Sequence, residues 1–346
     1  MQTSSRKFSP AFCAVLSCVF ASAQPKDPPE TVFRASTELV VVDVLVEHKK
    51  TGLAVRALAR DDFEVYEDKV RQQITQFSLD TVPLSIVFLF DMTDSVRPVL
   101  KPLADGALAA LEHLKPEDEI AVMLYAARAD LTQDFTTDHA LVARAIESAS
   151  TMRPGHCGLK PELCSQEAFF NEGVFQAASR ALKAGNPSNR RVIIWLTDNV
   201  PNIPDGKVHS EAAAMDLLRG SGVVICSLLE RSAMSFEFGA AYARNPMFEP
   251  FRMMHPPGDV GKYASETGGV VVGAHRDEIS AKLADLIDRI RGRYTIGYRP
   301  SAQKPDGTLC KIEVKLSREA IAREGAVEIR ARRGYKRWPS PSVGFP

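Results

Sequence analysis

Hydrophobic and polar residues follow two different patterns along the chain. Near both termini apolar residues alternate with polar ones, as in "DFEVYEDKVRQQITQF" (62–77) and "LCKIEVKL" (309–316). In the middle, continuous apolar runs such as "LSIVFLF" (84–90) are separated by stretches with helical spacing. Alternation predicts strands with one buried face, whereas continuous runs predict strands that are covered on both faces.

The middle of the chain is predicted to be an α/β region. Its predicted strands are 84–90, 118–127, 129–135 as an edge strand, 190–198, 222–229 and 268–274. Its predicted helices are 98–114, 139–149, 167–184, 208–219 and 277–292. Strands that alternate with helices imply a mainly parallel sheet with helices on both faces.

The two flanking regions are predicted to be β structure. The N-terminal one has turn signals at Thr51-Gly52 and near 67–69, and the C-terminal one has strand patterns at 293–300, 309–316 and 326–333. Asp306-Gly307 lies between the first two C-terminal strands and predicts a hairpin there. We expect the N- and C-terminal strands to join in one small β module beside the α/β domain.

The first residues resemble a secretion signal. Arg6 and Lys7 precede the apolar stretch 11–20, and the small residues that follow favour cleavage after Ala23. A lipoprotein signal with Cys18 as the lipidated residue is a second, less favoured interpretation. The protein is therefore expected to be secreted or periplasmic, and no other segment is apolar enough to span a membrane.

These patterns divide the chain into six parts. They are a signal peptide at 1–23, a Pro-rich linker at 24–36, an N-terminal β unit at 37–82, an α/β domain at 83–292, C-terminal β strands at 293–336 and a tail at 337–346.

The balance of charge gives no sign of a nucleic-acid partner. Basic and acidic residues number 43 each, whereas nucleic-acid binding usually needs a basic face.

Two cysteines are candidates for a disulfide bond. Cys157 and Cys164 lie in a loop-like stretch and could pair outside the cytosol. A zinc site that combines them with His156 lacks a fourth ligand, so we do not favour it.

Oxygen-bearing side chains follow two of the predicted buried strands. Asp91, Thr93 and Ser95 come after the first strand of the α/β region, and Asp198 follows the strand at 190–198. If these strands are neighbours, the four side chains converge, because ligands of open α/β sheets bind beyond the carboxyl ends of the strands. Oxygen ligands without nitrogen or sulfur suit a hard divalent cation such as Mg²⁺.

Two other interpretations of the first loop remain open. Asp94 or Ser95 could simply cap the following helix. A metal-dependent hydrolase could use Asp91, but Thr93 stands where aspartyl phosphotransferases commonly place a second Asp. The sequence also lacks a Gly-x-Ser-x-Gly elbow, metal-protease histidine spacing, a dinucleotide fingerprint and a phosphate loop.

Several motifs together resemble the von Willebrand factor type A family. "DMTDS" (91–95) is similar to the family's Asp-x-Ser-x-Ser motif, with Thr93 in the first Ser position, and "WLTDNVPN" (195–202) to the loop that supplies a further Asp. The flanks, such as "YTIGYRP" (294–300), resemble bacterial VWFA-related proteins of the Acidobacteria type, so the resemblance extends from Thr37 to Tyr335.

The resemblance implies a Rossmann-like fold and a protein-binding role without enzymatic activity. It implies a metal-ion-dependent adhesion site for Mg²⁺, or else Mn²⁺ or Ca²⁺, with Asp91, Thr93 and Ser95 near the ion and Asp198 acting through water. An acidic residue of a protein partner would complete the metal shell.

One position departs from the family pattern. The family's further Thr opens a helix, and the equivalent stretch "NEGVFQAA" (171–178) has Glu172 there. Glu172 either binds the cation or points away, so the site is expected to be degenerate, and a structural domain with a non-functional metal site is an alternative. The Met- and Phe-rich stretch 231–257 is expected to pack as core or lid, with a partner surface as the second interpretation.

Overall fold

A computed structural model gives the structure of the protein. It describes residues 39–79, 82–93, 95–152, 169–200, 207–231, 246–254, 256, 258–302 and 304–337. The predictions for the signal peptide, the linker, Asp94, Cys157 and Cys164 lie outside these residues. No helix within the described ranges combines the length and the apolar character that a membrane span requires.

The described strands and helices are as follows, in chain order. The strands are β1 (Val40–His48), β2 (Phe63–Glu67), β3 (Val70–Gln72), β4 (Ile74–Leu79), β5 (Leu84–Asp91), β6 (Glu119–Tyr125), β7 (Ala129–Thr136), β8 (Arg190–Thr197), β9 (Val224–Glu230), β10 (Val271–Ala274), β11 (Tyr294–Tyr298), β12 (Leu309–Leu316), β13 (Val327–Arg330) and β14 (Gly334–Lys336). The α-helices are α1 (Leu100–Ala110), α2 (His139–Thr151), α3 (Phe170–Ala181), α4 (Glu211–Ser221), α5 (Glu249–Met254), α6 (Val260–Thr267), α7 (Ile279–Arg291) and α8 (Arg318–Glu324).

The central sheet has the strand order β10-β9-β8-β5-β6-β7. All its pairings are parallel except that of β7, which runs antiparallel to β6 at the edge. Every residue of β5 and β6 is buried, which explains their continuous apolar sequences. The α/β fold and the edge position of β7 are confirmed.

Helices cover both faces of this sheet. Side chains of β5 alternate between the faces, so Phe88 packs in a core with α1, α2 and α7, and Leu89 in a second core with α3, α4 and α6. The helices are therefore amphipathic, with one polar and one apolar face, whereas the central strands β5, β6 and β8 are mostly apolar.

Strands from both ends of the described chain form two further sheets. Their orders are β13-β1-β11-β4 and β14-β12-β2-β3, and they share a third core that includes Val44, Phe63 and Tyr294. In one sheet β1 pairs with β11, and in the other β2 pairs with β12. The predicted β module of N- and C-terminal strands is thus confirmed.

The hairpin predicted at Asp306-Gly307 is wrong. A turn exists there, and Gly307 has a φ of +81°. However, β11 pairs with β1 and β4, while β12 pairs with β2 and β14. Because both long edges of β11 are already paired, β12 cannot add to it, and the turn instead connects two different sheets.

Candidate metal centre

The two oxygen-rich loops meet because their strands are neighbours. β5 pairs with β8 in parallel up to Phe90 and Leu196, so Asp91 and Thr197 end adjacent strands. Thr197 Oγ1 donates a 2.7 Å hydrogen bond to Asp91 Oδ2. The convergence that the sequence predicted depended on this strand order, which the structure provides.

Asp91 is fully buried, and protein donors surround its carboxylate. Oδ1 accepts hydrogen bonds from the Thr93 N–H at 3.0 Å and from Thr93 Oγ1 at 2.7 Å. Oδ2 accepts from Thr197 and also from the Tyr125 hydroxyl at 2.8 Å. A carboxylate offers about four acceptor positions, so these four bonds use them all. Burial raises the pKa of Asp91, and the four donors oppose that effect.

Thr93 and Ser95 bridge the two acidic residues. Their hydroxyl oxygens lie 3.1 Å apart, and Ser95 also hydrogen-bonds the side chain of Asp198. Ser95 is exposed, so this side of the cluster reaches solvent. The helix-cap interpretation finds no support at Ser95, because its hydroxyl serves Thr93 and Asp198, and the residue at the start of α1, Val99, makes no side-chain cap.

Asp198 is buried and only half satisfied. Its Oδ1 accepts a 3.1 Å hydrogen bond from the Val200 N–H, whereas Oδ2 is buried and has no hydrogen-bond partner. Burial, and then the nearby charge of Asp91, raise the pKa of Asp198 to about 7. Two buried carboxylates in one cluster repel each other, so the cluster needs either a proton or a cation.

Glu172 lies in the first turn of α3, and its carboxylate bonds elsewhere. Oε1 accepts from Gln176 Nε2 at 2.9 Å, while Oε2 accepts from the His209 N–H at 3.0 Å and lies 2.6 Å from His209 Nδ1. Burial acts to raise the pKa of Glu172, but these contacts outweigh it and hold the pKa below its usual value. Glu172 therefore links α3 to the start of α4, the second of the two orientations considered for it.

Sequence reasoning missed two aromatic residues that build the centre. Tyr125 ends β6 and donates to Asp91, and Trp195 Nε1 in turn donates a 2.9 Å hydrogen bond to the Tyr125 hydroxyl. Burial and the charge of Asp91 raise the pKa of Tyr125, so its hydroxyl keeps the proton that it donates. The sequence signal for Tyr125 is its hydroxyl at the carboxyl end of the strand next to β5. The apolar run 118–127, in which Tyr125 lies, hides that signal.

A second contact fixes the loop that carries Asp198. Asn199 has a φ of +60°, a left-handed conformation that Asn tolerates better than most residues. Its Oδ1 accepts from the Val260 N–H at 3.3 Å, and its Nδ2 lies 3.4 Å from Asp259 Oδ2. The loop after β8 is thus tied to the first turn of α6.

The residues of this centre fit a hard divalent cation. The donor set consists of carboxylate and hydroxyl oxygens, which Mg²⁺, Mn²⁺ and Ca²⁺ prefer. Asp198 Oδ2 is a buried anionic oxygen that lacks a protein partner, and the Ser95 hydroxyl beside it is open to solvent. Asp198, Ser95 and Thr93 would hold the ion, while Asp91 orients Thr93.

Comparisons with known proteins agree with this architecture. Residues 86–200 match the family model of the von Willebrand factor type A domain. No curated protein sequence matches the chain.

Solved structures of the same kind show weak likenesses. A von Willebrand factor type A protein from Catenulispora acidiphila is 11% identical, with 90% of this chain and 76% of that chain covered and a TM-score of 0.42. Proximal thread matrix protein 1 from the mussel byssus, with a zinc-occupied MIDAS motif, is 17% identical over 66% of this chain, with a TM-score of 0.42. The chain spans 50% of that mussel protein. The vWF domain of the type V pili tip protein Mfa5 from Porphyromonas gingivalis is 12% identical, with 61% and 96% covered and a TM-score of 0.41.

The family match begins in β5 and ends just after β8, so it includes both loops of the candidate centre. This match assigns residues 86–200 to the von Willebrand factor type A domain family, and the parallel sheet with its helices agrees with that assignment.

Proposed function

We propose that the protein is a secreted or periplasmic protein-binding module that holds a divalent cation, with Mg²⁺ as the best fit, at the ends of β5 and β8. The observation that carries this proposal is the buried, unpartnered Oδ2 of Asp198 beside the solvent-facing Ser95 hydroxyl. The site is degenerate in one respect, because Glu172 bonds His209 rather than supplying the family's Thr hydroxyl.

A carboxylate of the partner would complete the metal shell. The cation supplies a positive charge with an open coordination position, and the residues of this chain hold it through few anionic oxygens. Exposure of Ser95 leaves an approach from solvent. Three Met residues of the stretch 231–257 support a partner surface, since Met247, Met253 and Met254 are 69%, 77% and 65% exposed rather than packed in a core.

The hydrolase alternative has less support. A nucleophilic or metal-binding Asp91 needs a free oxygen lone pair, but all four acceptor positions are used by Thr93, Tyr125 and Thr197.

The structural alternative is a domain that keeps Asp198 protonated and binds no ion. It differs from the proposal in one measurable property, which is cation affinity.

Calorimetric titration with Mg²⁺, Mn²⁺ and Ca²⁺ tests cation binding. We expect saturable binding by the wild-type chain, loss of binding in Asp198→Asn, and weaker binding in Ser95→Ala. The matched control is Asp61→Asn, which removes a remote carboxylate whose side chain is 88% exposed. We expect Glu172→Gln to keep its affinity within about twofold, because a group outside the metal shell acts on it only at long range. Absence of binding by the wild type contradicts the metal proposal.

Partner capture from an envelope extract, with and without EDTA, tests the binding role. We expect a partner that is retained by the wild type without EDTA, released by EDTA, and not retained by Asp198→Asn. The same partners under all three conditions would support the structural alternative. Metal-dependent turnover of phosphate esters that disappears in Asp91→Ala would instead support the hydrolase.

A further inference from the structure

A second candidate site lies at the opposite end of the parallel strands. A cavity of about 590 Å³ is lined by Arg190, the first residue of β8, and by Asp43 and Thr295 of the adjoining sheet. Because a strand rises about 3.3 Å per residue, the length of β8 separates this cavity from Asp198 by about 25 Å. Cavities of this size commonly hold small molecules. We call it the arginine cavity.

The charged lining of the arginine cavity is mostly basic. Among the described residues that line it, Arg190, Arg191 and Arg332 are the cations and Asp43 is the anion. Asp43 Oδ1 lies 3.2 Å from Arg190 Nε, so the one carboxylate is already paired. The last turn of α4 also faces the cavity, but a helix end offsets only about half a unit charge. A positive excess therefore remains.

Arg191 and Arg332 carry that excess. Within the described part of the chain, neither has a carboxylate at ion-pair distance: Arg191 Nη2 donates a 3.4 Å bond to the Pro187 carbonyl, and the Arg332 guanidinium lies 5.4 Å from the centre of the Tyr335 ring. The Nε atoms of both arginines are buried without a hydrogen-bond partner. Both residues are half-buried, and without a carboxylate partner their guanidinium groups leave room for an anion.

Asn189 also lines the cavity, and the residue is 6% exposed. The guanidinium groups of Arg191 and Arg332 suit a ligand that offers anionic oxygens. Citrate and the hydrogen phosphate ion both offer such oxygens.

We propose that the arginine cavity binds a small oxyanion, a carboxylate or a phosphate, whose oxygens accept hydrogen bonds from Arg191 and Arg332. Arg190 is held by Asp43 and shapes the wall. This site is independent of the candidate metal centre and of the function proposed for it.

Calorimetric titration of the full chain with citrate, and separately with inorganic phosphate, at constant ionic strength tests the proposal. We expect saturable binding of at least one probe by the wild type. Loss of one charge-assisted hydrogen bond in Arg191→Gln or Arg332→Gln weakens it by about tenfold or more. Arg318→Gln, an exposed arginine on α8, is the matched control and retains wild-type affinity.

A second measurement keeps the test decisive if an arginine variant does not fold, which circular dichroism will show. A ligand that binds only the folded state raises its stability, so we expect citrate or phosphate to increase the urea midpoint of the wild type and of Arg318→Gln. A response to phosphate alone identifies a phosphate ligand, and a response to citrate alone identifies a carboxylate ligand. No saturable heat in the wild type, or equal affinity in Arg191→Gln and Arg318→Gln, overturns the proposal.

Discussion

Asp198 is central to the candidate metal centre, and two features of the folded state disfavour its ionised form. It is buried, and it lies near the charge of Asp91. Both effects favour the protonated acid, so the group takes up a proton in the folded protein at a pH where the unfolded chain has lost it. The pH dependence of stability therefore reports on this residue.

The first prediction concerns that pH dependence in the absence of metal. The pKa of Asp198 is about 7 when folded and near 3.8 when unfolded, so its contribution to stability is fully present below pH 3.8 and is lost as the pH rises to 7. The unfolded state binds fewer protons in this window, so stability falls by up to about 1.4 kcal/mol per pH unit. Urea unfolding in EDTA between pH 4 and pH 8 measures it.

Asp198→Asn provides the comparison for this prediction. The variant lacks the titrating group, so its unfolding free energy relative to that of the wild type should increase as the pH rises. Parallel profiles for the two proteins would show that Asp198 titrates normally in the folded state.

The second prediction concerns the hydroxyl of Tyr125. Tyr125→Phe removes the 2.8 Å bond to Asp91 and leaves the Nε1 donor of Trp195 without its acceptor. A buried polar group that loses its partner costs about 1–3 kcal/mol, and urea unfolding should show a loss of that size. Tyr66→Phe is the control, since that hydroxyl bonds Glu64 at the surface and should matter little. Equal stability of Tyr125→Phe and the wild type contradicts the network.

The candidate site could be predicted from the sequence only in part. Asp91, Thr93, Ser95 and Asp198 were found because short oxygen-bearing side chains stand out after apolar runs. Tyr125 was not found, because an aromatic residue at the end of a buried strand looks like core until the partner of its hydroxyl is known. The orientation of Glu172 could not be predicted, because it is set by a contact with His209, which is 37 residues away in the sequence.

At the level of elements, α3 comes unusually close to the sheet beneath it. A Cβ added at Gly173 would lie 2.9 Å from the ring of Tyr125, so only glycine allows this helix to rest on β6 at that distance. The glycine therefore keeps the Tyr125 ring, and with it the hydroxyl bonded to Asp91, in position.

The third prediction follows from this contact. Gly173→Ala forces α3 or the Tyr125 ring to move, and overpacking of this kind costs about 1–3 kcal/mol even though alanine favours helix. Ser179→Ala, a half-buried position on the same helix, is the control and should not destabilise the protein. Urea unfolding compares the two, and an increase in stability in both variants would contradict the close packing.

Element type was predictable where the hydrophobic pattern was long. The buried strands β5, β6 and β8 and the amphipathic helix α7 follow the predicted ranges closely. The short elements β14 and α8 were missed because three to seven residues do not establish a period. The hairpin at Asp306-Gly307 was wrong because turn chemistry does not reveal which edges are already paired.

At the scale of the whole molecule, ion pairs join the α/β region to the β module, and one of them is largely buried. Arg190 begins β8, and Asp43 belongs to β1, with the two side chains 3% and 18% exposed. Arg190 also donates to the Ile290 carbonyl at 2.7 Å. The predicted domain boundaries at 82–83 and 292–293 remain a prediction, and this pair bears on how independent the two parts are.

The fourth prediction tests that junction. Asp43→Asn leaves Arg190 buried without its anion, which should cost about 2–3 kcal/mol, somewhat below a fully buried pair because Asp43 keeps some solvent contact. Asp105→Asn removes an exposed partner of Lys101 and should cost about 0.5 kcal/mol or less. Denaturant unfolding measures both. A loss no larger in Asp43→Asn than in Asp105→Asn would contradict a structural role for the pair.

The pairing of β4 with β11 has a consequence for how the chain acquires its structure during synthesis. Leu79 pairs with Tyr294, so roughly two hundred residues must be made before β4 meets its neighbour. At about 5–20 residues per second, that wait is about 10–40 s. Because β1 awaits the same strand, the nascent chain carries two β-prone segments with open edges throughout this time. A ribosome-bound chaperone that shields extended segments would therefore be expected to raise the yield of this protein.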